Sequence, residues 1–159
     1  MLGYSATMPS DRTYTRLSTT SAWLLKATGK LHIPLYRASR GRLFGQMDRA
    51  PVLLLTTVGR RSGRPRTAPM VYLADGECLI VIGSNAGHEK APAWSLNLEA
   101  NPIADVELRG DERRKVRARI AAGEERAELW RRVNEMYSGF DDYSARTTRE
   151  IRLFVLEPR

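Results

Sequence analysis

VLLLTTVGRRSGRPRTAPMVY, residues 52–72, joins an apolar run, an arginine-rich glycine turn and a second extended run. Residues 52–58 are short, apolar and partly β-branched, which predicts a buried strand. Gly59 and Gly63 permit positive φ, and Pro65 fixes the direction in which the chain leaves the turn. The stretch therefore predicts a tight hairpin between two antiparallel strands.

The tip of this hairpin carries a cluster of permanently charged side chains, namely Arg60, Arg61, Arg64 and Arg66. A guanidinium group can hold a phosphate or a carboxylate through two parallel hydrogen bonds, so the cluster is suited to clamp an anion. The alternative is a solvent-facing hairpin whose charges keep a sheet edge soluble. Spacing alone leaves both interpretations open.

Several motifs in this order resemble the deazaflavin-dependent nitroreductase family. The longest is the string 54–69, which Tyr72 and Asp75-Gly76 follow. The later ones are Ser84–Gly87, Pro92–Trp94, Asn97–Pro102, Met136-Tyr137 with Asp142-Tyr143, and Val155–Pro158. The resemblance covers roughly residues 51–158.

This resemblance implies a mainly β fold with flanking helices (α+β), an FMN-binding-like split β-barrel of Greek-key antiparallel strands. It also implies an F420-dependent oxidoreductase of the quinone or nitro reductase type. Such an enzyme passes a hydride from reduced 8-hydroxy-5-deazaflavin, coenzyme F420, to a quinone, nitroaromatic or similar acceptor. The alternative is a split barrel that binds FMN, haem or the deazaflavin without this catalysis, because a fold does not fix a function.

The coenzyme contacts are expected on three segments. Small residues in the loop after Gly83 would let the backbone approach a planar ring closely. Trp94 has a second interpretation, as a plain core anchor on a short helix. The expected residues are Arg60, Arg61, Ser62, Gly63, Arg64, Arg66, Thr67, Ala68 and Pro69 in the hairpin, Ser84, Asn85, Ala86, Gly87 and Lys90 in the loop, and Trp94 and Asn97 in the helix.

Tyr137, Phe140 and Tyr143 follow one another at intervals of three, which on a continued helix would place three rings on one side. The resemblance implies that such aromatics wall the acceptor pocket, with Tyr137 and Tyr143 orienting the acceptor or relaying a proton, and Ser84 as a further catalytic candidate. Phe140 and Val71 depart from the family pattern, which often has tyrosine at both positions. These departures argue against one particular prodrug-activating activity.

The remaining pattern predicts the other elements. Extended runs at 67–73, 78–82, 104–108, 113–122 and 151–156 predict strands, and residues 92–100 and 124–137 predict helices. We expect Val116, Ala118 and Ile120 on a buried face and Arg113-Arg114-Lys115 on a solvated strand edge. We expect the second helix to present an apolar stripe of Ala127, Trp130, Val133 and Tyr137.

Length and charge set further bounds. A chain of 159 residues suffices for one globular domain with a substantial core. The net charge of the chain is +8, and its basic excess lies in residues 1–66, which hold 12 Lys/Arg against two acids for a net of +10, whereas residues 67–159 have a net charge of −2. Such a field attracts nucleic acid, an anionic membrane or an anionic coenzyme. We expect no nucleic-acid partner, because the arginines sit at a glycine turn without interleaved stacking aromatics.

We divide the chain into a disordered tail at 1–16, an amphipathic helix and connecting loop at 17–50, and the barrel domain at 51–159. The helix starts at Leu17 and stops near Gly29, and the loop at 33–46 contains at most one helical turn. The helix either packs on the barrel or anchors the protein peripherally to a membrane through residues 17–44. No apolar span is long enough to cross a membrane.

The cysteine and histidine content limits which disulfide, metal and nucleophilic sites the chain can form. The lone cysteine, Cys78, excludes an internal disulfide and is expected as a small core residue in a cytoplasmic protein. His32 and His88 are expected as exposed loop histidines, and no cluster suggests a metal. No Ser/His/Asp or Cys/His arrangement stands out, which suits an enzyme whose coenzyme carries the chemistry.

Overall fold

The computed structural model describes residues 31–47 and 49–159. The predicted tail at 1–16 and the predicted helix from Leu17 to Gly29 lie outside these residues. The strands are β1 Gln46–Met47, β2 Ala50–Val58, β3 Pro65–Asp75, β4 Cys78–Ile82, β5 Ile103–Glu107, β6 Arg113–Ile120 and β7 Leu153–Pro158. The helices are α1 at residues 31–38, α2 Ala93–Ala100, α3 Gly123–Met136 and α4 Gly139–Ala145, with a 3-10 turn at Asn85–Gly87.

The strands form a closed antiparallel barrel in the order β2-β3-β4-β7-β6-β5, with β5 pairing back to β2 and the short β1 added to β2. The predicted hairpin is confirmed, since β2 and β3 pair from Val52↔Val71 to Val58↔Pro65. The chain crosses from β4 to β5 through α2, so strands distant in sequence become neighbours. This architecture confirms the expected barrel with flanking helices.

Two apolar layers hold the barrel together. Leu53, Leu55 and Val81 point into its interior with Val106, Val116 and Phe154. The opposite faces of β4 and β7 lie under α3 and α4, where residues such as Ile80, Leu153 and Val155 pack. Since β4 and β7 are buried on both faces, they read as continuous apolar runs rather than alternating ones.

The predicted solvated edge at Arg113–Lys115 is confirmed. These residues of β6 pair with β5, whereas the register of β6 with β7 begins only at Val116. Arg113 and Lys115 are exposed and Arg114 is half-buried; Arg114 forms an ion pair with Glu112, and Lys115 forms one with Asp105. The prediction of a buried Ile120 at the end of β6 was wrong, because 43% of its surface is exposed.

Helix α3 docks through most of the predicted stripe, and Ala127 is the one residue of the stripe that was placed wrongly. Leu129 and Val133 are buried, whereas Ala127 is exposed. The larger leucine buries more apolar area against β4 and β7 than an alanine face could, so the helix turns it inward. Trp130 and Val133 belong to the packed side as expected.

Residues 31–38 are helical, where we expected a connecting loop. Tyr36 explains the difference, because it is buried and its hydroxyl donates to the backbone oxygen of Val52 at 3.0 Å. Ile33, one turn earlier, packs against the same cluster of Val52 and Leu54. A tertiary anchor of this kind outweighs weak local propensity.

The two histidines differ from each other. His88 is exposed, as expected. His32 instead lies half-buried in α1, with its ring 4.9 Å from that of Phe44, and burial lowers its pKa. Cys78 is half-buried against the apolar layer under α3, and burial raises the pKa of its thiol.

Candidate active site

The turn between β2 and β3 is built by its glycines. The Gly59 N–H donates to the oxygen of Arg64 at 2.8 Å, and the Gly63 N–H donates to the oxygen of Gly59 at 2.7 Å. Gly63 has a φ of 65°, a conformation that favours glycine. A Cβ on Gly59 would lie 2.7 Å from the Ser62 hydroxyl. Both glycines are therefore required for the compact turn that presents the arginines.

A cavity of about 500 Å³ lies between this turn and α2. It is lined by Gly59, Arg60, Arg61, Ser62, Arg66, Thr67, Ala68, Ala93, Trp94 and Asn97. We call it the arginine cavity. Its composition combines cations, hydroxyls and small residues, which suits an extended anionic group.

Asn97 fixes the turn to α2. Its side chain is 3% exposed, its Nδ2 donates to the Thr57 hydroxyl at 3.0 Å, and its Oδ1 accepts the Arg60 N–H at 3.1 Å. Buried polar groups of this kind specify one arrangement because leaving them unpaired is costly. The expected coenzyme residue Asn97 thus also holds the backbone of an arginine in place.

The turn arginines carry uncompensated charge. Within the described residues, none of Arg60, Arg61, Arg64 and Arg66 forms an ion pair, whereas Arg119 pairs with two glutamates and so does Arg131. All four turn arginines are exposed. An unneutralised cluster beside a cavity raises the local concentration of anionic ligands.

A second cavity, of about 850 Å³, opens on the other side of Trp94. We call it the aromatic cavity. It is lined by Met47, Pro69, Met70, Val71, Ile82, Ser84, Asn85, Ala86, His88, Glu89, Lys90, Pro92, Trp94, Tyr137, Phe140 and Tyr143. Trp94 lines both cavities, so the two adjoin at this residue.

Trp94 fulfils both of its interpretations. It is 8% exposed and packs edge-on against Phe154, with ring centroids 5.4 Å apart, so it anchors α2 in the core. The remaining exposed edge borders the two cavities. Packing holds this ring rigidly, which is what a wall for a planar ligand needs.

The loop at 83–88 adopts a strained shape. Asn85, Ala86 and Gly87 have φ values of 45°, 52° and 78°, all in the left-handed region. Local bonds support the turn, among them Asn85 Nδ2 donating to the oxygen of Lys90 at 2.8 Å. Such conformations persist in non-glycine residues only where the surroundings enforce them, and they concentrate at functional sites.

Gly87 faces α4 and does not line either cavity. A Cβ at this position would lie 2.8 Å from the oxygen of Tyr143 and 3.0 Å from the Cβ of Arg146. The glycine therefore permits the close approach of the loop to α4. We had expected it beside the coenzyme ring.

The three predicted aromatics do meet, although by another route. Tyr137 has an extended conformation that ends α3, so no continuous helix joins it to Tyr143. The ring centroids of Tyr137 and Phe140 nevertheless lie 5.1 Å apart, and the hydroxyls of Tyr137 and Tyr143 lie 3.2 Å apart. The Trp130 indole donates to Asp141 at 2.9 Å, which fastens α4 to α3.

The predicted residues fall into two groups. Most line one of the two cavities, and Gly63, Arg64 and Gly87 line neither. Residues that we did not predict include Met47, Met70, Ile82 and Glu89 in the aromatic cavity. Met70 and Ile82 belong to ordinary apolar strand runs, so no local pattern marks them. A polar Thr57 within an apolar run was the one available signal of the Asn97 contact.

A family model described as F420H(2)-dependent quinone reductase matches residues 26–158. An F420H(2)-dependent quinone reductase of Mycobacterium tuberculosis is 36% identical over 147 residues, which are 87% of this chain and 98% of that protein.

Solved structures agree with the family match. One of an F420-H2 dependent reductase superposes with a TM-score of 0.62 at 33% identity, covering 67% of this chain and 94% of the other. One of a domain-swapped dimer gives a TM-score of 0.63 at 29% identity, covering 80% and 99%.

Proposed function

Because this chain belongs to the F420H(2)-dependent quinone reductase family, we propose that it holds F420 across the arginine and aromatic cavities and reduces a quinone-like acceptor. The observation that carries this proposal is the shared wall at Trp94, which joins a cationic cavity to an apolar one. F420 has a planar ring and an extended anionic tail. The aromatic cavity matches the planar ring in chemistry, and the arginine cavity matches the anionic tail.

The described residues fit such a coenzyme. Arg60, Arg61 and Arg66 line the arginine cavity without acidic partners, so an anionic tail would supply their missing counter-charge. Arg64 stands at the exposed tip outside the cavity and adds only a more distant positive charge. The Asn97 amide keeps the turn in the shape that presents these groups.

In the aromatic cavity, the small side chains of Ser84 and Ala86 let a flat ring approach the loop, and Pro69 with Trp94 supplies apolar walls. Lys90 lines the same cavity and offers a further cation. When bound, the reduced coenzyme supplies a hydride to the acceptor. The protein binds and orients both molecules in a cavity that limits access of water.

The acceptor needs a proton as well as a hydride. The Tyr137 and Tyr143 hydroxyls share one hydrogen bond, and when Tyr137 donates in it, the Tyr143 hydroxyl can donate to an acceptor oxygen. Ser84 lines the same cavity, and its hydroxyl forms no hydrogen bond with a described residue. We assign Tyr143 the donor role, with Tyr137 as its partner and Ser84 as a second orienting group. Nitroaromatics, which also present polar oxygens on a flat ring, form a second acceptor class.

The N-terminal part of the described chain supports peripheral contact with an anionic membrane. Leu31, Leu35, Leu43 and Phe44 are exposed, and Arg42 lies among them. Arg37 and Arg40 belong to the same segment, but they form ion pairs with Glu107 and Asp111. Apolar side chains beside cations favour the surface of an anionic bilayer. No helix within residues 31–47 and 49–159 has the length and apolarity needed to cross a membrane. We place the protein in the cytoplasm, with this surface toward the inner face of the cell membrane.

Binding and turnover test the proposal separately. Titration with protein should quench the fluorescence of F420 to saturation, and FMN should bind much more weakly because it offers a single phosphate to the arginines. Oxidation of F420H2 should then require added menadione. Equal affinities for F420 and FMN, or no oxidation with any quinone, would reject the proposed function.

A further inference from the structure

Arg149 joins the segment after α4 to the strained loop at 83–88. Its Nε donates to the oxygen of His88 at 2.9 Å, and its Nη2 donates to the oxygen of Ser84 at 2.7 Å. These two carbonyls flank the Asn85–Gly87 turn. The rigid guanidinium fork matches two acceptors at a fixed separation, which a flexible ammonium group does less well.

A second contact lies next to the first. The Glu89 carboxylate accepts the Thr148 N–H at 2.9 Å and the Thr148 hydroxyl at 3.1 Å. These hydrogen bonds lower the pKa of Glu89, so the carboxylate stays charged and accepting. We call the contacts of Arg149 and Thr148 with Ser84, His88 and Glu89 the clasp.

The clasp lies beside the place where the loop touches α4. Gly87 packs directly against the backbone of Tyr143, and Ser84 and Tyr143 line the aromatic cavity. Loop and aromatic wall are thus two sides of one cavity, and the clasp joins the loop to residues 148 and 149, which follow α4 in the chain. Arg149 itself does not line that cavity.

We propose that Arg149 is a positioning residue. It holds the loop at 83–88 and helix α4 together as one unit and so sets the width of the aromatic cavity, where the acceptor binds. The loop needs an external support because Asn85 and Ala86 occupy left-handed conformations that are unfavourable for their side chains. The Arg149 guanidinium is half-buried, and burial lowers its pKa, as expected for a group withdrawn from water to serve fixed acceptors. The effect of Arg149 on acceptor binding rests on the proposed function, whereas the mechanical link between the loop and α4 does not.

Hydrogen exchange of the protein without coenzyme tests the mechanical link. In Arg149→Gln, amides in 83–90 and in 139–147 should both exchange about tenfold faster, because two charge-assisted bonds are lost. Arg131→Gln is the matched control, since Arg131 lies on the outer face of α3 and its ion pairs among the described residues are with Glu128 and Glu135 of the same helix. Faster exchange confined to 147–151, or no change, would overturn the proposal.

Kinetics test the consequence for the acceptor. Arg149→Gln should raise the KM for menadione about tenfold and raise the Kd for F420 less than about threefold, because the arginine cavity remains intact. The KM of Arg149→Lys should lie between those of Arg149→Gln and the wild type, and Arg149→Lys replaces Arg149→Gln in the test if the glutamine variant folds poorly. A lower Tm with an unchanged KM would leave Arg149 purely structural and refute the proposal. A wild-type protein without quinone turnover would refute the proposed function, and the exchange result would then decide on the clasp by itself.

Discussion

The hydroxyl oxygens of Tyr137 and Tyr143 lie 3.2 Å apart, although a break in the helix separates the two residues. Tyr137 leaves the end of α3 in an extended conformation, and the short α4 then returns the chain so that Tyr143 faces it. Phe140 packs edge-on between them, with ring centroids 5.1 Å and 6.2 Å from theirs. The pair forms a hydrogen-bonding edge on an otherwise apolar wall.

Tyr143→Phe should lower kcat with menadione about tenfold or more, and the Kd for F420 should stay within about twofold. The change keeps the ring and removes only the hydroxyl, so it isolates proton donation and orientation. Steady-state rates with saturating F420H2 provide the measurement. A full rate in Tyr143→Phe would reduce the residue to an apolar wall, in which case Tyr143→Ala should cost about 1–3 kcal/mol of stability without a specific effect on turnover.

Arg61→Ala and Arg66→Ala should each weaken F420 binding by about 1–3 kcal/mol, because each removes a charge-assisted bond to an anionic tail. Arg64→Ala is the matched control, since Arg64 belongs to the same turn but lies outside the cavity. Its effect should be small and should vanish at high salt, as for a distant exposed charge. Equal losses for all three variants would indicate a general electrostatic field and not a clamp.

Asn97→Ala should reduce both stability and F420 affinity. It removes the bonds to Thr57 and to the Arg60 N–H, and it leaves buried polar groups unpaired at a cost of about 1–3 kcal/mol. Thr57→Val breaks only the first of these bonds, so it should lower stability and spare the affinity. Thermal unfolding and F420 titration of both variants separate the two effects; an unaltered Kd in Asn97→Ala would show that the turn keeps its shape unaided.

Gly87→Ala should raise the KM for menadione and lower the Tm, because the new methyl group would meet the backbone of Tyr143 at 2.8 Å. Gly63→Ala offers a control with a similar backbone, since Gly63 also has positive φ but, apart from its chain neighbours, no described residue places an atom within 4 Å of the new Cβ. That control should show only the cost of the left-handed conformation, about 1 kcal/mol. If both variants behave alike, the contact between the loop and α4 has no influence on the acceptor.

The hairpin and its arginines could be predicted because their causes are local. Gly59, Gly63 and Pro65 determine the turn within seven residues, and no distant partner is needed. The hydrogen bonds of the Asn97 side chain could not be predicted from the local sequence, because its partners Thr57 and Arg60 come from another element. The prediction for α3 was wrong at Ala127 for a similar reason, since tertiary packing buried Leu129 instead.

The remaining differences have the same origin. Helix α1 is held on the barrel by the buried Tyr36, whose hydroxyl donates to Val52, and by the ion pair of Arg37 with Glu107. Both partners lie in other elements, so residues 33–46 alone do not predict the helix. Arg149 lies between the recognised motifs, and its acceptors are carbonyl groups, which carry no sequence information. The role of a residue could be predicted where its side-chain type determined that role. It was missed where the role depended on contacts with backbone groups of distant segments.

Closure of the barrel also has a kinetic meaning. Strand β7 lies between β4 and β6, and β5 returns to β2, so the defining contacts join segments that are far apart along the chain. Chains dominated by such pairings refold on a scale of about milliseconds to seconds, because the entropy of loop closure is lost before strand pairing contributes stabilising free energy. Both cavities draw their walls from several of these segments. The capacity to bind ligand should therefore be acquired late in refolding, with the last cooperative step, and not with the early hairpin.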